Sequence, residues 1–336
     1  MTGPIPRAAG LPDAGAGLCY FPDDRPGITR IRRGRGFSYR SPDGTTIRDA
    51  AERKRIALIA VPPAYERVWI SPLSNGHLQA TGRDARGRKQ YRYHPDWTAQ
   101  RAARKYAQLA AFGETLPRLR ARIAEGLRAE PGSQDLAVAA VLALLDRAAI
   151  RVGGVDYARD NESYGATTLL PDHVRFGKDG VTLDFPGKGG TQITCRLHGK
   201  RLERALHKVH DLPGAELISW IDEDGQPRGV RSEQVNALIA EVCGEGMTAK
   251  TFRTWNGTHA AFSCACRLDA PRIADLTEAA AERLGNTPAI ARTSYVHPEV
   301  IALAGAEDRS RRLSRLKPKD RHGLKAGEAE LIAFLE

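Results

Sequence analysis

Five residues of this chain could together do chemistry on a phosphate ester: Arg151, Lys188, Arg253, Asn286 and Tyr295. A phosphodiester is hard to break because attacker, target and leaving group all carry or develop negative charge. Without a metal, strand transfer needs an oxygen nucleophile, several cationic donors on the phosphate, and an acid for the departing alkoxide. A tyrosine, two arginines, a lysine and an amide supply those parts. Taken singly, each also has a plain structural reading. Tyr295 could be a core tyrosine. Arg151, at the mouth of an apolar helix, could end in an ion pair. Arg253 could be structural, and Lys188 an ordinary exposed lysine at a hairpin tip.

The local settings are specific. Thr287-Pro288 reads as a helix start, since proline fits the first helical turn and threonine can cap it. Tyr295 then falls near the end of that short helix, where Val296-His297-Pro298 stops it. Lys188 sits in P-G-K-G-G, which is not a nucleotide-binding P-loop: Thr182 stands where the first glycine belongs, and Gly189 where Ser or Thr is required. No metal-ligand spacing is present. The acidic run Asp222-Glu223-Asp224-Gly225 reads as a solvated turn, and His207 and His210 as an exposed or DNA-facing pair on a basic helix.

The elements that must position these groups fall into two grammars. Residues 1–17 are rich in Gly, Pro and Ala and predict a disordered start. Residues 18–95 predict a small β-rich domain with one helix over 47–60 and strands near 28–40, 45–47, 68–70, 78–81 and 88–93. From residue 96 to 316 helices dominate, starting with segments over 97–112, 116–129 and 134–150. The third is apolar nearly all round (Leu136, Val138, Val141, Leu142, Leu144, Leu145), so it belongs at the centre of a helical core. A small sheet interrupts over 174–176, 181–185 and 192–197. Residues 317–336 read as a basic tail. The fold class is therefore α+β: a β-rich N-terminal domain and a larger, mainly helical domain carrying a β-hairpin sheet.

Composition bounds the partner. The chain has 336 residues and a formal net charge of +11, from 51 Lys and Arg against 40 Asp and Glu. Such a balance suits a polyanion, and arginine outnumbers lysine, which favours bidentate phosphate contacts. Five cysteines without framework spacing read as reduced thiols in a cytosolic protein. The start lacks a signal-peptide core, and no apolar run approaches the roughly 20 residues of a membrane span. On strand 88–93, period two puts Lys89, Tyr91 and Tyr93 on one face and Arg88, Gln90 and Arg92 on the other. Alone, this is an ordinary basic edge strand.

The ordered set Arg-Lys-Arg-Asn-Tyr, with its flanking words, resembles the type IB DNA topoisomerases, especially small bacterial enzymes related to the poxvirus one. The words are R-V-G-G-V-D-Y-A-R-D-N-E-S-Y-G-A-T-T-L from Arg151, P-G-K-G-G, K-T-F-R-T-W from Lys250, and L-G-N-T-P…S-Y. Upstream, V-P-P-A-Y-E-R-V-W-I-S-P and N-G-H-L-Q-A-T-G-R-D-A-R-G-R-K-Q-Y-R-Y-H match too, so the likeness covers roughly Leu18 to Leu316.

That resemblance implies roles. Arg151 and Arg253 would hold the scissile phosphate, Lys188 would protonate the departing 5′-oxygen, and Tyr295 would form a 3′-phosphotyrosyl link. Lys250 matches a second family lysine. Gln90, Tyr91 and Tyr93, with Arg88 and Lys89 beside them, would face duplex DNA, as would Tyr157. Asn286 departs from the poxvirus and eukaryotic pattern, which has histidine there; an amide can still donate to a nonbridging oxygen but carries no charge. Asp156 and Gly154 stand where the poxvirus pattern is basic. The expected protein is a monomeric, cytoplasmic, nucleoid-associated enzyme that clamps DNA and relaxes supercoils with neither ATP, metal nor other cofactor. Two rivals are a tyrosine recombinase or integrase, whose usual N-terminal partner is helical rather than β, and a non-catalytic basic DNA-binding protein.

Overall fold

A computed structural model describes residues 11–178, 180–319 and 321–336. The chain forms two compact units, residues 1–106 and 107–336. Among the described residues, no helix is long and apolar enough to cross a membrane.

The first unit holds strands β1 (Asp13–Gly15), β2 (Leu18–Cys19), β3 (Ile28–Arg33), β4 (Gly36–Arg40), β5 (Glu66–Ile70), β6 (Leu78–Arg83) and β7 (Lys89–Tyr93). Helix α1 (Ala50–Leu58) lies between β4 and β5, and α2 (Pro95–Ala107) follows β7. A five-stranded antiparallel sheet runs β4-β3-β5-β6-β7, leaving β7 on an edge. Its core is Ile28, Val68, Ile70 and Ala80 with Ile56 from α1. The Asp49 carboxylate caps α1 by accepting the Glu52 amide at 2.7 Å, so the helix starts three residues later than expected. The strand expected over 45–47 is reduced to one bridge between Thr46 and Arg40.

Disorder expected over 1–17 lies outside the described residues for 1–10. It is corrected beyond them, because β1 pairs with β2 and Gly15 seats against α2.

The second unit is helical. It comprises α3 (Leu109–Gly126), α4 (Gln134–Ala148), α5 (Val155–Asn161), α6 (Lys200–His210), α7 (Ser232–Cys243), α8 (Ala249–Arg267), α9 (Ile273–Leu284), α10 (Pro288–Ser294), α11 (Pro298–Ile301), α12 (Arg309–Ser314) and α13 (Glu328–Leu335). Strands β8 (Val174–Gly177), β9 (Gly180–Pro186) and β10 (Gln192–Leu197) form an antiparallel sheet, and β11 (Ser219–Ile221) pairs with β12 (Pro227–Gly229). The acidic run is the β11–β12 turn, where Asp222 accepts its own loop amides and pairs with Arg228 at 2.6 Å. His207 is exposed and His210 partly so, as expected, and both rings also pack on Phe176. Helix α4 is buried along nearly its whole length, as its uninterrupted apolar sequence predicts.

Two sequence expectations are overturned here. The break expected between 112 and 116 falls instead at Gln108, and α3 runs on through Gly113 and Pro117. Packing overrides propensity: Leu116 and Leu119 are fully buried, and Gly113 sits where a Cβ would meet the Trp255 ring at 2.4 Å. Nor are residues 317–336 a basic tail. Helix α13 buries Leu331 and Ile332 in the core, and Glu328 grips Arg120 with both carboxylate oxygens, at 2.6 and 2.8 Å. Arg120 also reaches Asp146 on α4, and Trp255 donates to Glu328 at 3.0 Å, so α3, α4, α8 and α13 meet at one buried charge cluster.

Candidate active site

Helix α4 delivers the first cation. Ser133 caps its start by accepting the Leu136 amide at 3.3 Å, and Ala149 ends it in a left-handed turn at φ 53°. Two residues on, Arg151 leaves the core half-buried. Its Nη2 donates to Asn286 Oδ1 at 2.8 Å, across 135 residues of sequence.

Arg253 comes from the first turns of α8 and is only 3% exposed. Its Nη1 donates to the Ala149 carbonyl and its Nη2 to the Leu284 carbonyl at 3.0 Å. The guanidinium therefore ties together the C-terminal ends of α4 and α9, whose last carbonyls carry partial negative charge. One turn further along α8, Gly257 lets a neighbour close in: a Cβ there would meet Leu284 at 2.8 Å and Tyr295 at 3.2 Å.

Helix α9 ends at Gly285, in the left-handed region at φ 59°, and this turn presents Asn286. Thr287 then caps α10 by accepting the Ile290 amide at 3.4 Å, and Tyr295 terminates that helix. The Arg253 Cζ lies 5.0 Å from the Tyr295 ring centroid. Burial pushes the Tyr295 phenol up, but the positive charge and hydrogen bonding of Arg253, then the charges of Arg151 and Lys250, outweigh it. The phenol is held below the ordinary tyrosine range. Burial, then the Arg151 charge, lowers Arg253 as well, yet an arginine keeps its proton.

Lys188 occupies the tip of the β9–β10 hairpin, exposed. Gly187 accepts the Gly190 amide at 3.1 Å and donates to Thr191 at 2.8 Å, while Gly189 and Gly190 take positive φ. Its Nζ stands 5.9 Å from the ring centroid of Tyr157, which α5 presents half-exposed.

Apart from Asn286, which lies behind Arg151 as its hydrogen-bond partner, these groups share one cavity of about 270 Å³, lined by Arg151, Tyr157, Lys188, Lys250, Arg253 and Tyr295. A larger cavity of about 650 Å³ also touches Arg151 and Arg253 but includes neither Tyr295 nor Lys188. Two buried donors, Arg253 Nε and Asn286 Nδ2, have no hydrogen-bond partner among the described residues. Leaving a buried donor unmade is costly. Four cations, two unmet donors and a phenol of lowered pKa can together hold an anion against an oxygen nucleophile.

The remaining expected residues lie in the first unit, on β7 or, for Arg88, in the turn just before it. Arg88 and Gln90 both bind Asp84, at 2.8 and 3.0 Å, and Lys89 pairs with Asp23 at 2.6 Å. Tyr91 and Tyr93 stack at 6.0 Å on one face, in keeping with the strand period, and each is about half-exposed.

Sequence reasoning missed Gly257 and Thr258. The Thr258 hydroxyl donates to the Tyr295 carbonyl at 3.0 Å and accepts the His297 amide at 3.1 Å. The available signal was spacing, since Gly257 lies four residues after Arg253 and so on the same helical face.

The family described as bacterial DNA topoisomerase IB, N-terminal domain, matches residues 36–84, and the one described as eukaryotic DNA topoisomerase I, catalytic core, matches residues 91–283. The second match spans more than half of the chain and stops short of Asn286 and Tyr295. DNA topoisomerase 1B of Acanthamoeba polyphaga mimivirus is 29% identical over 286 residues, covering 80% of this chain and 85% of its own length. DNA topoisomerase I of Monkeypox virus and DNA topoisomerase 1B of Vaccinia virus (strain Copenhagen) are each 23% identical over 244 residues, covering 71% of this chain and 76% of their own.

Proposed function

This chain belongs to the type IB DNA topoisomerases, and from that premise we propose how its candidate site cuts and rejoins one strand of duplex DNA. Tyr295 attacks the scissile phosphorus in line, forming the Tyr295 Oη–P bond as the P–O5′ bond breaks. The phenol's proton leaves to solvent. Lys188 gives its proton to the departing 5′-oxygen, which leaves as a hydroxyl. Arg151, Arg253 and Asn286 hold the nonbridging oxygens and absorb the charge that builds on them. The cut strand swivels about its partner, and the free 5′-hydroxyl attacks the 3′-phosphotyrosyl link in the reverse reaction.

The observation that carries this reading is the seating of Arg253 between two helix ends and the Tyr295 ring, with its own Nε and the Asn286 Nδ2 buried and unpartnered among the described residues. Because the phosphotyrosyl bond retains the energy of the phosphodiester, the cycle needs neither ATP nor a metal. All five residues come from one chain, so a monomer suffices. On the first unit, Tyr91, Tyr93, Lys89, Gln90 and Arg88 form the DNA-facing strand, and Tyr157 and Lys250 add contacts beside the reacting phosphate.

The test is relaxation of a negatively supercoiled plasmid in EDTA without ATP, repeated with Tyr295→Phe. The wild-type protein is expected to relax the plasmid and to leave a covalent adduct on a nicked suicide duplex, and the variant to bind DNA and do neither. Adduct in the Tyr295→Phe variant would assign the nucleophile to another residue. Strand exchange that requires paired defined sites would favour a recombinase instead.

A further inference from the structure

Five rings of the first unit follow one another from β7 to α2. Tyr91 and Tyr93 stack at 6.0 Å, and Tyr93 lies 6.3 Å from His77. His77 stacks on Tyr20 at 4.3 Å and meets Trp97 edge-on at 5.0 Å. Cations stand at both ends: Lys89 Nζ is 5.4 Å from the Tyr91 ring, and Arg101 Cζ is 5.7 Å from the Trp97 ring. Aromatic rings in such number usually go to a core. Here Tyr20, Tyr91 and Tyr93 remain 45%, 48% and 46% exposed, and His77 is the buried member that holds them in line.

At the Trp97 end the ladder opens into a cavity of about 380 Å³, walled by Tyr20, Trp97, Arg101 and Arg104 and by the first hairpin at Pro12–Ala14. The walls are fixed by contacts. Gly15 lies so close to α2 that a Cβ would meet Gln100 Nε2 at 2.2 Å. The Tyr20 amide donates to the Pro12 carbonyl at 2.8 Å, and the Phe21 amide to His77 Nδ1 at 3.0 Å. Asp13, the acid in the wall, accepts the Gly15 amide at 2.8 Å within its own turn. What the cleft offers a ligand is therefore ring faces and guanidinium groups.

Paired bases in a duplex keep their faces stacked inside and offer only edges in the grooves. Ring faces flanked by arginines are the recognition surface of unpaired bases, the arginines taking the backbone phosphates. From this juxtaposition we propose that the Tyr20–Trp97 cleft is a binding site for an unpaired nucleobase of single-stranded or locally unwound DNA. The proposal rests on DNA being the substrate, and it extends that reading from duplex to unpaired strand. It gives the enzyme a second hold on underwound DNA, apart from the cavity of the reacting phosphate.

The test measures binding of the full-length protein to a labelled oligothymidine and to a fully paired duplex, by fluorescence anisotropy at one fixed salt concentration. Wild type is compared with Tyr20→Ala, Tyr20→Phe and Arg101→Ala. Tyr20→Ala is expected to weaken oligothymidine binding about 5- to 100-fold, the usual effect of removing one stacked base. Tyr20→Phe should bind like wild type, Arg101→Ala should lose single-strand affinity too, and duplex affinity, plasmid relaxation and melting temperature should stay unchanged in all three. Equal weakening on single strand and duplex would overturn the proposal by making the cleft a plain phosphate contact. So would unchanged oligothymidine binding in Tyr20→Ala. Failure of wild-type plasmid relaxation with oligothymidine binding intact would instead count against the DNA-cleavage reading.

Discussion

Thr258 holds Tyr295 by the backbone. Its hydroxyl donates to the Tyr295 carbonyl at 3.0 Å and accepts the His297 amide at 3.1 Å, stitching the end of α10 to the middle of α8. Arg253 stands five residues earlier on the same helix, so one element fixes both Tyr295 and the cation beside its ring. Thr258 is fully buried. Thr258→Val keeps the shape and removes the hydroxyl, stranding a carbonyl and an amide at a cost of about 1–3 kcal/mol in urea unfolding. Cleavage in single turnover should slow by roughly tenfold to a hundredfold, because a nucleophile displaced by a fraction of an ångström loses its alignment. Thr258→Ser should retain most of the rate. Wild-type cleavage by Thr258→Val would mean that Gly257 packing alone seats Tyr295.

Asn286 Oδ1 accepts from Arg151, while Nδ2 is buried with no partner among the described residues. Asn286→Asp keeps the acceptor for Arg151 but has no donor, and should slow cleavage about 10²–10³-fold, the usual effect of removing one oxyanion donor. Asn286→Ala should fall similarly. Asn286→His, with one ring nitrogen to accept and one to donate, should retain substantial activity. If Asn286→Ala cleaves like wild type, the amide serves only to hold Arg151.

Lys188 is tested by changing the leaving group. A 5′-alkoxide needs a proton as it departs, whereas a 5′-thiolate is far less basic and needs little help. Lys188→Ala should therefore slow cleavage of ordinary DNA severely but barely slow cleavage of a 5′-bridging phosphorothiolate. Arg151→Ala and Arg253→Ala should gain no such rescue, since sulfur does not replace charge on nonbridging oxygens. Single-turnover rates are the proper comparison, because product release can mask chemistry. Equal losses on both substrates would move the acid elsewhere, with Lys250 the next lysine in the cavity.

The lowered Tyr295 pKa predicts a pH profile with a definite sign. Burial raises it, and Arg253, Arg151 and Lys250 together lower it by more than burial raises it. With the Tyr295 phenolate as the proposed nucleophile, cleavage should rise with pH and level off below the ordinary tyrosine value of about 10. Lys250→Ala removes one of the three cations, so the midpoint should move upward toward that value, while Lys250→Arg leaves it in place. An unmoved midpoint in Lys250→Ala would show that its charge does not reach the phenol.

Local chemistry made several elements legible from the sequence. Thr287-Pro288 carries its own cap and pre-set φ, so α10 starts there and ends at Tyr295. P-G-K-G-G supplies glycines at the positions that take positive φ, so Lys188 had to sit on a tight turn. The unbroken apolar run of α4 had to be central, and Arg151 had to emerge at its end. The period of β7 fixed which of its side chains share a face.

Tertiary structure decided the rest, because the deciding contacts join residues far apart in the chain. Arg253 is one arginine among many in the sequence. It became a buried site cation only when carbonyls 104 and 31 residues away took two of its donors. Asn286 met Arg151 across 135 residues, and Thr258 met Tyr295 across 37. Composition made 317–336 look like a basic tail; a single buried carboxylate, Glu328, paired with Arg120 across 208 residues and turned its end into a packed helix. Periodicity and capping act within a few residues and can be read in order. Which buried charge finds its partner depends on how the helices cross, and only the folded chain sets that.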